Sequence, residues 1–328
     1  MTTAPAHLID LLDLDRDFVL QLFERADKLR AVRKSRVAAR PLAGRTAALV
    51  FHKPSLRTRV SFSVGMHELG GDAIDLGAAE VSENGRESLK DVAHVLSGMC
   101  DLIVIRTFGH RIVRALAEHS SIPVINALTD YSHPCQILSD LYTLKRAGRD
   151  LDALTIAWVG DGNNVLHSWL EASTLFRFGL HIAVPDGFEP DPGLFLEAEK
   201  RSEGRVRRFR DPKEAVRGAD VVYTDTWTSM GQEKDAAWRR VVFAGYQVNA
   251  ALMSVAAPDA SFMHCLPAHR GEEVTDEVID SPQSLVVEQA ENRLHLQKAL
   301  MVELVGSGTR TAKPPRVAVD PATLAAAH

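Results

Sequence analysis

The chain has 328 residues, enough for two domains of ordinary size. Hydrophobic residues make up 45% of it and charged residues 25%, and the formal net charge of −5 argues against a general nucleic-acid-binding protein. The three widely spaced cysteines form neither a disulfide framework nor a paired-cysteine metal pattern, so we expect a reducing compartment, namely the cytoplasm. We recognise no secretory signal and no bilayer-spanning apolar run, and therefore expect no membrane partner.

The first half of the chain alternates between helical and strand patterns. Helices are predicted at His7–Arg33, Val60 to about Gly70, Leu89–Met99, Arg111–Glu118 and His133–Arg146. Strands are predicted at Ala47–Phe51, Ala73–Leu76, Asp101–Ile105 and Pro123–Asn126. This alternation indicates a parallel sheet covered by helices on both faces.

The polar break Gly148-Arg149-Asp150 is a candidate domain boundary, because the alternation restarts after it. Strands are predicted at Leu154–Val159, Leu180–Val184, Val221–Thr224 and Ser261–Met263, and helices at Leu166 to about Phe178 and Asn292–Leu304. From Gly306 onward few large apolar residues occur, so we expect a flexible tail over 306–328.

A strand passes into a helix at Ser55-Leu56-Arg57-Thr58-Arg59. The free N–H groups of a first helical turn and the bidentate donors of arginine favour an anion, and phosphate more than carboxylate. A mere surface role for Arg57 and Arg59 is disfavoured, because first-turn positions prefer acidic residues. The segment therefore predicts an anion site.

Two further polar groups follow strands or open helices in this half. Arg106 ends an apolar strand, where a structural salt bridge is an equally open alternative. His133-Pro134-Cys135-Gln136 opens a helix, so His133 is either a polar surface residue or a hydrogen-bond donor to a polarised carbonyl. The carboxyl ends of parallel strands are where such groups would meet a ligand.

The second half also has two places where polar residues follow a predicted strand. Gly160-Asp161-Gly162-Asn163-Asn164 imitates a dinucleotide fingerprint with Asp186 as its ribose-binding acid, although the third glycine is missing. The alternative is a tight turn whose asparagines meet a small ligand. Asp225 follows a strand and either caps the next helix or holds an ammonium group.

His264, Cys265 and His269 follow the last strand but fit no common zinc spacing, so we expect no metal. A nucleophilic Cys265 is conceivable, yet the arginine-rich turn favours direct displacement of a phosphate.

Taken together, these stretches resemble the aspartate/ornithine carbamoyltransferase family from about His7 to Leu304. The shared carbamoyl phosphate motifs are Ser55–Arg59 and His133–Gln136, accompanied by Arg106. Motifs similar to those of the ornithine branch are Gly160–Asn164, Asp225–Gly231, His264–Pro267 and Glu291–His295. All six motifs occur in the same order, at matching intervals.

The resemblance implies an α/β fold with two domains, each a mainly parallel sheet flanked by helices. We expect a carbamoyl phosphate-binding domain at 1–148 and an ornithine-binding domain at 149–291. The C-terminal helix, at about 292–305, is expected to pack back on the first domain and complete it.

The resemblance also implies a role for each matching residue, in direct carbamoyl transfer to the δ-amine of ornithine without cofactor or metal. Carbamoyl phosphate would be bound by Ser55, Leu56, Arg57, Thr58, Arg106, His133, Gln136, Cys265, Leu266 and Arg293. Of these, Arg57, Thr58, Arg106, His133 and Cys265 would form the catalytic group. Ornithine would be bound by Asn164, Asp225, Ser229 and Met230.

Family members form trimers in which one loop reaches the neighbouring active site, so Ser82 and Arg86 are candidate contacts to a neighbouring subunit. Ser82 departs from the glutamine common at its position, and Leu56 departs from a common threonine. The resemblance further implies a place in arginine biosynthesis, although the sequence does not distinguish the two directions of the reaction.

Three alternatives remain open at this level. A sister carbamoyltransferase acting on aspartate, acetylornithine, succinylornithine or another amine would share the first-half motifs. Asp225 favours a free α-ammonium, which the acylated ornithines lack, and aspartate would call for more cationic residues in the second half. A nicotinamide-dependent dehydrogenase is suggested by Gly160-x-Gly162 and Asp186. A non-catalytic binding protein of the same fold would not need a candidate for every catalytic role.

Overall fold

The computed structural model describes residues 4–33, 39–77, 80–82 and 85–306. In its first half a parallel sheet has the strand order β2-β1-β3-β4, with the strands β1 (Thr46–Phe51), β2 (Asp72–Leu76), β3 (Leu102–Arg106) and β4 (Val124–Leu128). The surrounding helices are α1 (Arg16–Ala31), α2 (Leu56–Glu68), α3 (Leu89–Met99), α4 (His110–His119) and α5 (Pro134–Arg146).

Strand β1 shows why the strands of this sheet are continuous apolar runs in the sequence. Leu49 and Phe51 belong to one buried cluster and Ala48 and Val50 to another, so successive side chains enter cores on opposite faces. A strand buried on both faces cannot alternate apolar and polar residues. The predicted α/β class, with helices on both sides of a parallel sheet, is confirmed.

The second half contains another parallel sheet, in the order β7-β6-β5-β8-β9. Its strands are β5 (Thr155–Val159), β6 (Gly179–Ala183), β7 (Val206–Phe209), β8 (Val221–Thr224) and β9 (Ser261–His264). Its helices are α6 (Asn164–Ala172), α7 (Pro192–Arg201), α8 (Pro212–Val216), α9 (Ala236–Phe243), α10 (Ala250–Met253), α11 (Asp276–Ile279) and α12 (Val286–Gly306). The strand order reverses beside β5, which is where open α/β sheets bind ligands.

Helix α12 packs back on the first half, as expected, against α1, α2 and α5. Lys298 Nζ donates to Glu68 Oε2 at 2.7 Å, and Arg293 Nη2 donates to Thr58 Oγ1 at 2.8 Å. Gly65 of α2 allows the close approach, because a Cβ there would lie 2.9 Å from Met301 Cε. The last helix therefore delivers side chains to the start of α2.

The predicted helix at His7–Arg33 is wrong at its start, since α1 begins only at Arg16, where Asp15 Oδ1 caps it. Leu8 instead forms a bridge with Ile125 beside β4, and Leu11 lies in a short 3₁₀ turn. Both leucines are fully buried. Their three-residue spacing resembles that of a buried helix face, although the backbone around Leu8 is extended.

Other observed helix boundaries also differ from the predicted ones. Helix α6 ends at Ala172 rather than near Phe178, and α12 begins at Val286 rather than Asn292. The sequence patterns predicted neither β7 nor the helices α7, α8, α9, α10 and α11. The domain limits 1–148 and 149–291 stay predictions, and the tail after Gly306 lies outside the described residues.

None of the helices in the described part of the chain combines the length and apolar character needed to cross a membrane.

Candidate active site

A cleft of about 1260 Å³ opens between the two sheets, beyond the carboxyl ends of β1, β3, β5, β8 and β9. Most of the sequence-predicted site residues line it: Ser55, Leu56, Arg57, Arg106, His133, Gln136, Asn164, Asp225, Ser229, Met230, Cys265, Leu266 and Arg293. Thr58, Ser82 and Arg86 are outside this lining. The structure thus brings together residues that are up to 238 positions apart, from Ser55 to Arg293.

The start of α2 forms one wall of the cleft. Ser55 is the N-cap residue, yet its side chain makes no capping hydrogen bond, and no acidic residue occupies the first turn. The free N–H groups and the positive end of the helix dipole therefore meet no negative side chain of α2 itself. Leu56 is 75% exposed, so only part of this residue borders the cleft.

Three guanidinium groups, those of Arg57, Arg106 and Arg293, converge at this wall. Burial, followed by the nearby Arg293, lowers the pKa of Arg106 to about 10, and burial also lowers the pKa of Arg57 and of Arg293. None of the three forms an ion pair within the described residues. Desolvated cations without a carboxylate partner are costly, so an anion supplied from outside would stabilise them.

Thr58 is fully buried and accepts a hydrogen bond from Arg293. Among the described residues its hydroxyl proton has no acceptor, but Thr58 does not line the cleft itself. Arg59, by contrast, points to the outside and pairs with Asp75 at 3.4 Å, as expected for a residue that braces the turn.

His133 is the N-cap residue of α5 and is almost completely buried. Burial lowers its pKa well below the usual value, and Arg293, Arg106 and Arg57 lower it further, so the imidazole is neutral at pH 7. Its Nδ1 has no hydrogen-bond partner among the described residues. A neutral imidazole carries one N–H group, and with no partner inside the protein to use it, that group can donate one hydrogen bond to a ligand.

Gln136 lies one turn further along α5. Its Nε2 donates to Asp140 Oδ1 at 2.9 Å, whereas its buried Oε1 has no partner within the described part of the chain. The side chain therefore offers the cleft an acceptor.

The segment after β9 forms the facing wall. Leu266 has φ 57 and precedes a cis bond to Pro267, and its N–H donates to His264 Nδ1 at 2.9 Å. An amino group donates hydrogen bonds, so the backbone of Cys265 and Leu266 can meet one only through its carbonyl oxygens.

Cys265 Sγ donates to Asp225 Oδ1 at 3.1 Å, and burial together with that carboxylate raises the pKa of the thiol well above its usual value. A thiol held protonated is a poor nucleophile. We therefore expect Cys265→Ser, which keeps a donor toward Asp225, to retain activity within about tenfold. Initial rates of the two proteins test this, and complete loss of activity in Cys265→Ser would indicate covalent catalysis.

Asp225 follows β8 at the floor of the opposite half. Asn163 Nδ2 donates to its Oδ2 at 2.7 Å, and the Thr226 N–H donates to its Oδ1 at 2.8 Å. Asn164 Nδ2 donates to the Thr129 carbonyl at 2.6 Å, which ties α6 to the first half. Asp225 does not cap a following helix, so that alternative is not the one observed.

Several residues of the cleft carry no recognisable motif in the sequence. Lys53 is 5% exposed, pairs with Asp130 and lies 4.2 Å from the Phe108 ring centroid. Phe108 in turn lies near Gly231, where an added Cβ would be 3.8 Å from it. Lys53 precedes the predicted anion motif by two residues, which is the one signal that could have identified it.

The dinucleotide alternative does not fit the glycine-rich turn. A Cβ at Gly162 would overlap the backbone of Phe188 and Pro190, so this glycine admits another segment of the chain rather than a cofactor. Asp186 is exposed, pairs with Arg210 and does not line the cleft.

Among the described residues, two groups of potential metal ligands have ligand atoms within 4.8 Å of one another, namely Asp225 with His264 and Cys265, and His269 with Glu272 and Glu273. In the first group His264 Nδ1 accepts from Leu266 and Nε2 lies 3.1 Å from Glu273, while the Cys265 thiol donates to Asp225. These donor atoms already have partners, so the first group is poorly suited to an ion.

Ser82 and Arg86 lie in the connection between β2 and α3, and Glu83 and Asn84 between them are outside the described residues. Arg86 is exposed and lies away from the cleft of its own chain. Their contact with a neighbouring subunit stays a prediction.

Comparison with known proteins gives one consistent result. The family described as "Aspartate/ornithine carbamoyltransferase, carbamoyl-P binding domain" matches residues 6–146, and "Aspartate/ornithine carbamoyltransferase, Asp/Orn binding domain" matches residues 152–304. A protein of Nitrosococcus oceani named ornithine carbamoyltransferase is 49% identical over 302 residues, which cover 92% of this chain and 98% of that one. One of the same name from Symbiobacterium thermophilum is 50% identical, covering 92% and 98%. The ornithine carbamoyltransferase structure from Pyrococcus furiosus is 43% identical, with TM-score 0.89 and coverage of 93% and 99%.

Proposed function

The chain belongs to the aspartate/ornithine carbamoyltransferase family, and we propose that it transfers the carbamoyl group of carbamoyl phosphate to the δ-amine of L-ornithine. The products are L-citrulline and phosphate. The observation that carries this proposal is the pairing of two complementary sites in one cleft. Three guanidinium groups line one wall, those of the buried Arg106 and Arg293 and of the half-buried Arg57, and none of them has an ion-pair partner among the described residues. The carboxylate of Asp225 lies across from them.

Carbamoyl phosphate would bind with its phosphate at the start of α2. Ser55, Arg57 and the free helical N–H groups supply donors, with Thr58 next to them through its contact to Arg293. Arg106 and the neutral imidazole of His133 would donate to the carbonyl oxygen. The carbamoyl NH₂ would then donate to Gln136 Oε1 and to the carbonyl oxygens of Cys265 and Leu266.

Ornithine would occupy the other half of the cleft. Asp225 would hold its α-ammonium and Asn164 its α-carboxylate, with Ser229 and Met230 covering the chain. Met230 is 43% exposed, as a residue at the mouth of the cleft would be.

The reaction needs no covalent enzyme intermediate. The neutral δ-amine attacks the carbonyl carbon, a C–N bond forms, and negative charge builds on the oxygen that faces Arg106 and His133. The tetrahedral intermediate collapses as the C–O bond to phosphate breaks, and the amine proton leaves with the phosphate. Two substrates held in line and fixed donors for the developing charge account for most of the acceleration.

The amine must be neutral to attack, although an unperturbed alkyl amine has a pKa of about 10.4. We therefore expect kcat/KM for ornithine to rise by about tenfold per pH unit from pH 6 to 8, as the neutral fraction of free ornithine rises. His133 is already deprotonated over this range, because its pKa lies well below 6.5, and adds no second rise. Initial rates across pH test this, and a flat profile would contradict it.

The choice of amine is tested by incubating the protein with carbamoyl phosphate and, separately, L-ornithine, N-acetylornithine, aspartate and putrescine. We expect carbamoylated product with ornithine alone, because acetylation removes the α-ammonium that faces Asp225. Product from acetylornithine at a comparable rate would assign the chain to a sister activity.

We further propose that the protein acts as a homotrimer in the cytoplasm, in arginine biosynthesis. Support for the trimer comes from family membership and from the position of Arg86, exposed and away from its own cleft. The free cysteines, Cys100, Cys135 and Cys265, are consistent with a reducing compartment. Sedimentation equilibrium of the full chain tests the trimer, and a monomeric mass would contradict it.

A further inference from the structure

The buried carboxylate of Asp140 lies directly behind Gln136 and is outside the lining of the cleft. Asp140 is on α5, four residues after Gln136 and therefore on the same face of the helix. Its exposed fraction is 0%. A carboxylate in such a place needs donors to offset its lost hydration.

Three side chains from three elements supply those donors. Gln136 Nε2 and Gln289 Nε2 donate to Asp140 Oδ1 at 2.9 and 2.8 Å, and the Tyr223 hydroxyl donates to Oδ2 at 2.8 Å. Gln289 lies on α12 and Tyr223 on β8, so this cluster joins both halves of the chain. Burial raises the pKa of Asp140 to about 7, and the three donors counter that rise.

The contact to Asp140 determines which end of the Gln136 amide faces the cleft. With Nε2 committed to the carboxylate, Oε1 is the atom left without a partner at the cleft wall. If that amide turned over, its NH₂ group would face the cleft and its oxygen would meet the oxygen of Asp140. Above pH 7, where the carboxyl group of Asp140 is ionised, it therefore keeps an acceptor, and not a donor, on the substrate side.

The same cluster supports the opposite wall. Gln289 donates from Nε2 to Asp140 while its Oε1 accepts the backbone N–H of His264 at 3.1 Å. His264 immediately precedes Cys265 and Leu266, whose carbonyl oxygens are the other proposed acceptors. One carboxylate thus orients acceptors on two sides of the same part of the cleft.

We propose that Asp140 is a positioning residue that, through Gln136 and Gln289, makes the cleft select an acyl phosphate carrying an amino group. The inference rests on the proposed function, because it assigns the selectivity of the carbamoyl phosphate site. Carbamoyl phosphate carries an NH₂ group on its carbonyl carbon, where acetyl phosphate carries a methyl group of similar size. A methyl group would leave the buried Gln136 Oε1 unpaired, and a site with buried polar groups rejects an analogue that cannot pair with them.

The test is the ratio of dissociation constants for acetyl phosphate and carbamoyl phosphate, measured by calorimetry in the cold on the full-length protein. We expect the wild-type protein to prefer carbamoyl phosphate by at least about tenfold. Asp140→Leu, which removes the acceptor and keeps a branched though larger side chain, should reduce this preference to about twofold or less, with the dissociation constants for acetyl phosphate and inorganic phosphate changed by less than about threefold.

Two variants separate positioning from loss of structure. Asp140→Asn keeps a carbonyl oxygen for the two amides and should retain most of the preference. Glu171→Gln is the matched control, because Glu171 is a buried carboxyl on α6 that accepts the Leu11 N–H at 3.0 Å and does not line the cleft. It should keep the full preference. If Asp140→Leu does not fold, Asp140→Ala serves instead, since it also removes the acceptor without adding bulk.

An unchanged preference in the folded acceptor-free variant would overturn the inference. So would an equal loss of affinity for carbamoyl, acetyl and inorganic phosphate, because a merely structural role affects all three. Citrulline formation by the wild-type protein reports separately on the proposed function. A protein that turns over without preferring carbamoyl over acetyl phosphate would refute this inference alone.

Discussion

Arg57→Ala is expected to lower kcat/KM for carbamoyl phosphate by about a thousandfold. Arg57 is half-buried at the start of α2 and forms no ion pair among the described residues, so its charge is available to the phosphate. Removing it takes away a bidentate donor in a desolvated site, where such contacts are strongest. Steady-state rates with carbamoyl phosphate varied at saturating ornithine measure the effect.

Arg59→Ala is the matched control for that substitution. Arg59 lies on the same helical turn, but it pairs with Asp75 and stacks 5.1 Å from the Phe51 ring centroid, outside the cleft. We expect kcat/KM within about threefold of wild type, as for an exposed ion pair. Equal losses in the two variants would show that the turn acts through its structure or its total charge, and not through Arg57 as a ligand.

Asp225→Ala is expected to lower kcat/KM for ornithine by about a hundredfold, while the KM for carbamoyl phosphate changes by less than about threefold. Asp225 is 8% exposed and is held by Asn163 and the Thr226 N–H, so it is fixed before ornithine arrives. The measurement is a full initial-rate grid in both substrates.

A substrate without the α-ammonium tests whether Asp225 acts through that group. 5-Aminopentanoate keeps the reacting amine and the carboxylate of ornithine, so wild type and Asp225→Ala should use it at similar, low rates. Asp186→Ala is the control variant, because Asp186 is an exposed carboxylate after β6 that pairs with Arg210. A large Asp225→Ala defect toward 5-aminopentanoate, or an equal loss of carbamoyl phosphate binding, would refute the assignment of Asp225 to the ammonium.

The parts of the fold that could be predicted are those with strong local patterns. Strands β1, β3 and β8 are apolar runs because they are buried, and α3 was predicted with its observed bounds. Strand β7 was missed because Arg207 and Arg208 are exposed on a sheet edge and break any apolar run. The start of α1 was misplaced because burial of Leu8 comes from pairing with Ile125, a contact that lies far away in the sequence.

The residues of the candidate site likewise divide into those with a local motif and those placed by contacts distant in sequence. Ser55–Arg59 and His133–Gln136 are short segments with a motif, and the structure places most of their residues on the cleft. Arg293 reaches Thr58 only because α12 returns to α2, which periodicity does not specify. Asp140 acts through Tyr223 and Gln289, which are distant in sequence, so no local pattern distinguishes it from an ordinary helix residue. Asn163 and Lys53 lie in or beside a motif, but their partners Asp225 and Asp130 are likewise distant in sequence.

The central claim is that one cleft joins the carbamoyl carbon directly to the δ-nitrogen of ornithine. It is tested most directly by incubating the protein with ¹³C-labelled carbamoyl phosphate and δ-¹⁵N-labelled L-ornithine and recording the ¹³C NMR spectrum. We expect a product carbon with one-bond ¹³C–¹⁵N coupling and an equal amount of released phosphate. Phosphate released without that coupling, or a ¹³C label found on the α-nitrogen, would contradict the account.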